Sequence, residues 1–257
     1  MRGGALIAWE MHPLFTPDGV ITFTVSASRT GVGDWETVAT VTDSNVAEDA
    51  IQRLYGKAPR LYYRVTATTE NGDTYESRKR QITSSLNERD SRLVREIMRK
   101  ENLNMQKYAG QCGYLYKRRR WGTPCPECLD YDTGEIKNKH CEVCYGTGFV
   151  GGYFEPVEYW VAPAVKGVTR RTSTSLAAQG VIEDRVWQAR GINCPWLDTG
   201  DMWLDFDTDQ RYFVQRVSEI TFRKIPIIFD PIELRLAPVT DIVYSLVRPE
   251  DEESSSS

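Results

Sequence analysis

Four cysteines stand in two Cys-x-x-Cys pairs, Cys125-Pro-Glu-Cys128 and Cys141-Glu-Val-Cys144, with twelve residues between the pairs. A Cys-x-x-Cys turn sets two sulfurs on one side of a knuckle. Two facing knuckles supply four thiolates at tetrahedral corners, about 2.3 Å from a zinc ion. Four thiolates complete the coordination, whereas a catalytic zinc keeps one position for water. The spacing therefore predicts a structural zinc ion (Zn2+) held by Cys125, Cys128, Cys141 and Cys144. Such binding contributes about 10–16 kcal/mol in small modules at neutral pH, ample to order a short segment with little apolar core. A complete set of sulfurs leaves no vacancy for His140, which reads as a surface residue or a support for the ligands.

The rest of the chain offers little for catalysis. The only histidines are His12 and His140. Cys112 and Cys194 have no base near them in sequence and read as buried free thiols. Neither a phosphate-binding glycine loop nor a nucleophile elbow is present, so no enzymatic activity and no small-molecule substrate are expected. Asp198, Asp201, Asp205, Asp207 and Asp209 form an acidic cluster. Their spacing lacks the glycine of a calcium-binding EF-hand loop, and they read as hairpin-turn carboxylates. The densest basic run is Lys117-Arg118-Arg119-Arg120-Trp121. Its default reading is a solvated face. Its sharper reading is a contact from Lys117, Arg118, Arg119 and Arg120 to an acidic partner surface or to DNA phosphate.

These residues must be positioned by a mainly β scaffold. Residues 1–83 read as short strands divided by turns, an N-terminal β-sandwich. Ala5–Glu10, the alternating Ile21/Phe23/Val25, Glu36–Thr42 and Leu61–Thr68 are the strands. Asn71-Gly72 is a strong hairpin signal, returning the chain through Thr74–Arg80. Residues 84–124 hold an amphipathic helix and a basic linker: Ser84-Ser85 offers a cap, and Leu93, Val94, Ile97 and Met98 make an apolar stripe among charges. Residues 125–150 are the zinc-binding module. Residues 151–249 return to strands, as a barrel or sandwich. Met202, Leu204 and Phe206 share one face there, with Asp205 and Asp207 on the other. The apolar parity shifts between Val214 and Val217, which predicts a bulge. Residues 250–257 are an acidic, serine-rich tail, expected to be disordered.

Composition bounds the partners. The net charge of -4 gives no global attraction to nucleic acid. No stretch approaches the ~20 apolar residues of a membrane span, and the run Ala5–Trp9 is shorter than a signal-peptide core of about 7–15 residues. A chain made and used in a cytoplasm-like compartment is expected. Cysteines paired at metal spacing agree with a reducing environment.

Three resemblances follow from these residues. Trp9, Ile21-Thr-Phe-Thr-Val25 and Tyr63-Arg-Val-Thr-Ala67 followed by Asn71-Gly72 resemble a fibronectin type III module. Almost no sequence stands before Trp9 for the usual first strand, and Leu61 stands where that family's tyrosine corner would fall. The second knuckle, Cys141-Glu-Val-Cys-Tyr-Gly-Thr-Gly148, resembles the zinc repeats of DnaJ-type chaperones as local chemistry only. Arg89–Glu96, Lys107–Gly110, Tyr114–Gly122, the two knuckles and Tyr145–Tyr153 are similar to neck proteins of long-tailed bacteriophages. Gly200-Asp201-Met-Trp203, Arg211–Val214, Pro226-Ile-Ile and Glu233–Leu236 resemble the β-rich core of phage connector proteins. That last resemblance covers about residues 85–247. It implies a virion structural protein at the neck or connector, assembled in the host cytoplasm. The implied partners are copies of itself in a cyclic homo-oligomer, other neck, portal or tail proteins, and packaged DNA in passing. A tail or baseplate accessory protein and a nucleic-acid-binding zinc ribbon remain as alternatives.

Overall fold

The computed structural model describes residues 5–12, 15, 19–49, 61–81, 88–130, 133, 135–164, 170–177, 180–222, 225–246 and 248. The expected cap at Ser84-Ser85 and the acidic tail lie outside these residues. Among the described residues the protein is mainly β, with 45% in strands and one α-helix.

The N-terminal strands are β1 (Ala5–Ala8), β2 (Thr22–Ser28), β3 (Glu36–Thr42), β4 (Val46–Asp49), β5 (Tyr62–Thr68), β6 (Thr74–Glu76) and β7 (Arg80–Gln81). β1 pairs with β4, and a second sheet runs β3-β2-β5-β6 with β7 also on β5. The alternation in β2 works as strand periodicity demands: Phe23 and Val25 are buried and stand opposite Ala67 and Val65 of β5. Gly72, at φ +87°, makes the turn after β5, a conformation that glycine adopts without steric cost. The returning strand splits in two because Ser77 intervenes. Its hydroxyl accepts the Val65 N–H, and its own N–H donates to the Val65 carbonyl.

Helix α1 (Glu88–Asn104) continues into a π-helical turn at Met105–Ala109. Val94 and Met105 are fully buried, while Leu93 of the predicted stripe is 47% exposed. The helix packs on β11 (Gly180–Ile192) and β14 (Ile225–Leu236), so the stripe faces the barrel along a narrower line than the sequence pattern alone suggests.

The remaining strands are β8 (Gln111–Tyr116), β9 (Val157–Pro163), β10 (Arg170–Ala177), β12 (Met202–Asp205) and β13 (Arg211–Phe222). Six of the seven close into an antiparallel barrel in the order β8-β9-β11-β14-β13-β12; β10 lies outside the ring as a partner of β11. The interior holds Trp187, Trp203 and Tyr212 with ring centroids 5.6–5.9 Å apart, packed with Tyr159, Phe229, Ile232 and Leu234. β12 departs from the expected half-buried pattern. Trp203 joins this interior, while Met202 and Leu204 join a second cluster with Tyr116, Tyr153 and Val243. Both faces of β12 are therefore buried. The capped turn Ile242–Ser245 provides that second cover. The pairing of β13 slips between Val214 and Arg216, where the parity of the sequence shifts.

Candidate metal centre

The two knuckles sit in the connection from β8 to β9, so the metal loop is inserted between neighbouring staves of the barrel. Short bridges hold it, Pro124 to Phe149 and Leu129 to Ile136. The Cys125 N–H donates to the Gly148 carbonyl, and the Lys137 N–H to that of Cys128. These bonds face the knuckles toward each other. In the second knuckle, the N–H of Tyr145 turns back to the Cys141 carbonyl at 2.8 Å. Gly146 follows at φ +72°, where a Cβ would stand 2.7 Å from the Lys139 carbonyl oxygen. A side chain does not fit there, and the tight turn is what lets Cys144 approach its partners.

The four thiols are at most 3% exposed, and their sulfurs all lie within 4.8 Å of one another. Cys125 and Cys141 are 3.8 Å apart, close to the edge of a tetrahedron with about 2.3 Å bonds to a central ion. Cys128 and Cys144 are 2.9 Å apart, well beyond the S–S bond of about 2.05 Å. All six cysteines are free thiols. Burial pushes the Cys128 thiol up, and its sulfur neighbours push it further. The donor set, all soft sulfur and all buried, fits a metal ion, and Ile136 and Val143 pack over it. His140 is exposed and its backbone N–H is held by Asn138; it stands outside the sulfur cluster.

The basic run leads from β8 into this loop, and each member is held differently. The Lys117 ammonium is sealed inside, donating to Asp201 at 2.6 Å, Asp198 at 3.2 Å and the Trp196 carbonyl at 2.6 Å. Asp201 is fully buried and also accepts the N–H groups of Arg118 and Asp198. Burial raises its carboxyl, and the Lys117 charge opposes that rise. Arg118 reaches the Thr147 carbonyl of the metal loop. Arg119 bonds the Tyr153 carbonyl, lies 4.5 Å over the Phe154 ring and pairs with Asp43 after β3. Arg120 bonds the Thr199 carbonyl and keeps 42% of its side chain exposed. Trp121 is buried among N-terminal residues, 5.8 Å from Phe23 and 5.1 Å from Phe154. The run is thus a strap that ties barrel, metal loop and N-terminal strands together. Of its four cations, Lys117 is withdrawn from any external phosphate.

The sequence pattern reads Asp201 as a hairpin-turn carboxylate, whereas the structure buries it against Lys117 and the Arg118 N–H; Asp43 and Phe154 carry no signal in the pattern. The available signal was the surplus of carboxylates at 198–209 against the unusual basic run, which together form a pairing pattern only in three dimensions. Of the other acids, Asp198 shares the Lys117 ammonium, and Asp205 shapes a turn. Asp205 accepts from the Asp207 N–H and the Thr208 hydroxyl, and Asp209 pairs with Arg248. Cys112 and Cys194 are free thiols but half-buried, not buried as the sequence suggests; loss of solvent pushes the Cys194 thiol up to about 12 and that of Cys112 to about 11. Comparison with protein-family models finds none that matches the chain, and comparison with curated proteins finds no match either.

Proposed function

We propose that the chain is a structural subunit of a bacteriophage virion, a component of the neck or connector ring that joins head to tail, braced by a structural zinc ion. The observation that carries the reading is the place of the four-sulfur cluster. It sits in the loop between two barrel staves, and the residues leading into it are pinned to both the barrel and the N-terminal strands. A metal there stiffens a junction between units, which is what a load-bearing ring subunit requires. Four sulfur-only donors favour zinc among the common divalent ions, and four of them leave no position for a reacting water.

The segments that resemble neck proteins support the same reading: Tyr114–Trp121 forms the end of β8 and the strap, and Arg211–Val214 and Glu233–Leu236 are paired barrel strands. The N-terminal pair β1-β4 facing the larger β3-β2-β5 sheet across one core is read as a fibronectin III-like sandwich. Lys117, withdrawn into the barrel wall, weighs against a nucleic-acid-binding ribbon.

Rings of the purified protein on negative-stain grids, and a label at the portal end of intact virions, are the expected results. A label at the distal tail would replace this reading with a tail or baseplate role. Salt-dependent binding of short DNA by the isolated protein would replace it with nucleic-acid binding. Elemental analysis of native protein should find one zinc per chain.

A further inference from the structure

The four sulfurs are closed off from solvent, but not equally. Cys125 and Cys144 are 0% exposed, Cys128 is 1% and Cys141 is 3%. A hydrated ion must shed its waters to join them, and the most open of the four, Cys141, is the point of entry. An exposed carboxylate stands at that sulfur. Glu127, in the turn of the first knuckle, accepts from the Cys141 thiol, with Oε2 3.7 Å from Sγ.

That separation is the span of one shared ion. Zinc lies about 2.1 Å from a carboxylate oxygen and about 2.3 Å from a thiolate sulfur, so an ion bound to both at a tetrahedral angle sets them about 3.6 Å apart. The carboxylate is also uncommitted: Glu127 makes no ion pair among the described residues, and Lys137 of the same loop is held by Asp130 at 3.0 Å. Four thiolates complete the loaded centre. An oxygen therefore has no place in it, and the contact serves an ion in transit.

We propose that Glu127 is the port of the metal centre, the first protein ligand of an incoming divalent ion and the group that hands it to Cys141. The inference rests on the zinc site proposed above and names its route of loading. The ion exchanges a water for the Glu127 oxygen and binds the Cys141 sulfur while still held. It gives up the oxygen as the other three sulfurs close around it, and the thiol protons leave to solvent. Because Glu127 touches the ion only in passage, it speeds loading and release by the same factor and leaves the affinity unchanged.

The test uses full-length reduced protein. Release is followed as zinc passes from loaded protein to excess colorimetric chelator. Loading is followed as chelator-stripped protein takes up divalent cobalt, read by the thiolate-to-cobalt absorption. Glu127→Gln keeps the shape and removes the charge. Both rates should fall about tenfold, while the dissociation constant from chelator competition is unchanged. Rising salt should slow loading in the wild type and much less in the variant. Glu127→Asp, which keeps the charge, should recover most of the rate. Glu135→Gln, which removes an exposed acid elsewhere in the loop, should load like the wild type. Wild-type rates in Glu127→Gln, or an equal loss in Glu135→Gln, overturn the port and leave the metal site standing. A changed affinity at an unchanged loading rate also overturns it, because Glu127 would then act on the loaded centre. Native protein that holds no metal and takes up no cobalt removes site and port together. Release starts from the loaded, folded protein, so its rate decides even where the stripped loop fails to refold.

Discussion

Lys117 Nζ lies 2.6 Å from Asp201 Oδ2, with the lysine side chain 4% exposed and the aspartate fully buried. The pair is not a surface ornament. It fixes the end of β8, the point where the barrel wall becomes the metal loop. Removing one partner from such a pair costs about 3–5 kcal/mol, because the other charge is left buried and unpaired. Lys117→Met should lose that much stability in urea unfolding. Combining it with Asp201→Asn should recover part of the loss, because the asparagine oxygen still accepts the Arg118 N–H. A single variant within 0.5 kcal/mol of the wild type, the usual range for a surface substitution, would contradict the pairing.

Loss of the metal should propagate beyond its loop. Cys141→Ser is expected to release the ion and open residues 108–155 to protease. Trp121 and Phe154 bracket the loop and fill the N-terminal core, so that unit should loosen as well. Metal uptake must also displace protons from buried thiols. With the Cys128 thiol pushed up by burial, affinity should fall as pH falls, by about tenfold per pH unit for each proton released. Chelator competition at two pH values measures this. Full metal content and protease resistance in Cys141→Ser would refute the four-thiolate site.

Trp121 is the ring through which the strap reaches the N-terminal strands. Trp121→Ala should cost about 3–5 kcal/mol, as deletion of a buried aromatic does. Thermal unfolding followed by near-ultraviolet circular dichroism reads it. The barrel aromatics, which lie in a separate cluster, should keep their signal to a higher temperature than the N-terminal unit.

The turn after β2 titrates with a defined sign. Asp34 accepts hydrogen bonds from the Ser28 and Thr30 hydroxyls and from the Arg29 and Thr30 N–H groups. These hold its carboxyl well below the usual carboxylate range. A depressed folded value means that the contribution is present above the unfolded value of about 3.9 and is lost as pH falls through the folded one. Asp34→Asn should therefore differ from the wild type at neutral pH and converge with it in strong acid. A carboxyl chemical-shift titration of Asp34 with an ordinary midpoint would contradict the turn geometry.

Much of the local structure was legible in the chain. Strand β3 runs over Glu36–Thr42 as its pattern predicts, the turn at Asn71-Gly72 forms, and the slip after Val214 falls where apolar parity shifts. These features depend on side-chain period and backbone preference, which act over a few residues. The expectation for β12 held for only one face. Met202 and Leu204 are buried as the pattern requires, but Trp203 on the opposite face is buried too, because a closed barrel on one side and the Ile242–Ser245 turn on the other leave the strand no wet face.

The boundary read at residue 83 leaves out two rings, Trp121 and Phe154, that complete the N-terminal core from far along the chain. No periodicity announces such a contact.

The four sulfurs were determined by sequence alone, because a metal's coordination demands donor type and short spacing, and both are written in Cys125-x-x-Cys128 and Cys141-x-x-Cys144. Only tertiary structure decided the fate of the basic run. Whether Lys117 meets solvent, phosphate or a buried carboxylate depends on Asp201, 84 residues away. The barrel's closure places that carboxylate beside it, and the sealed site favours a paired charge over a free one.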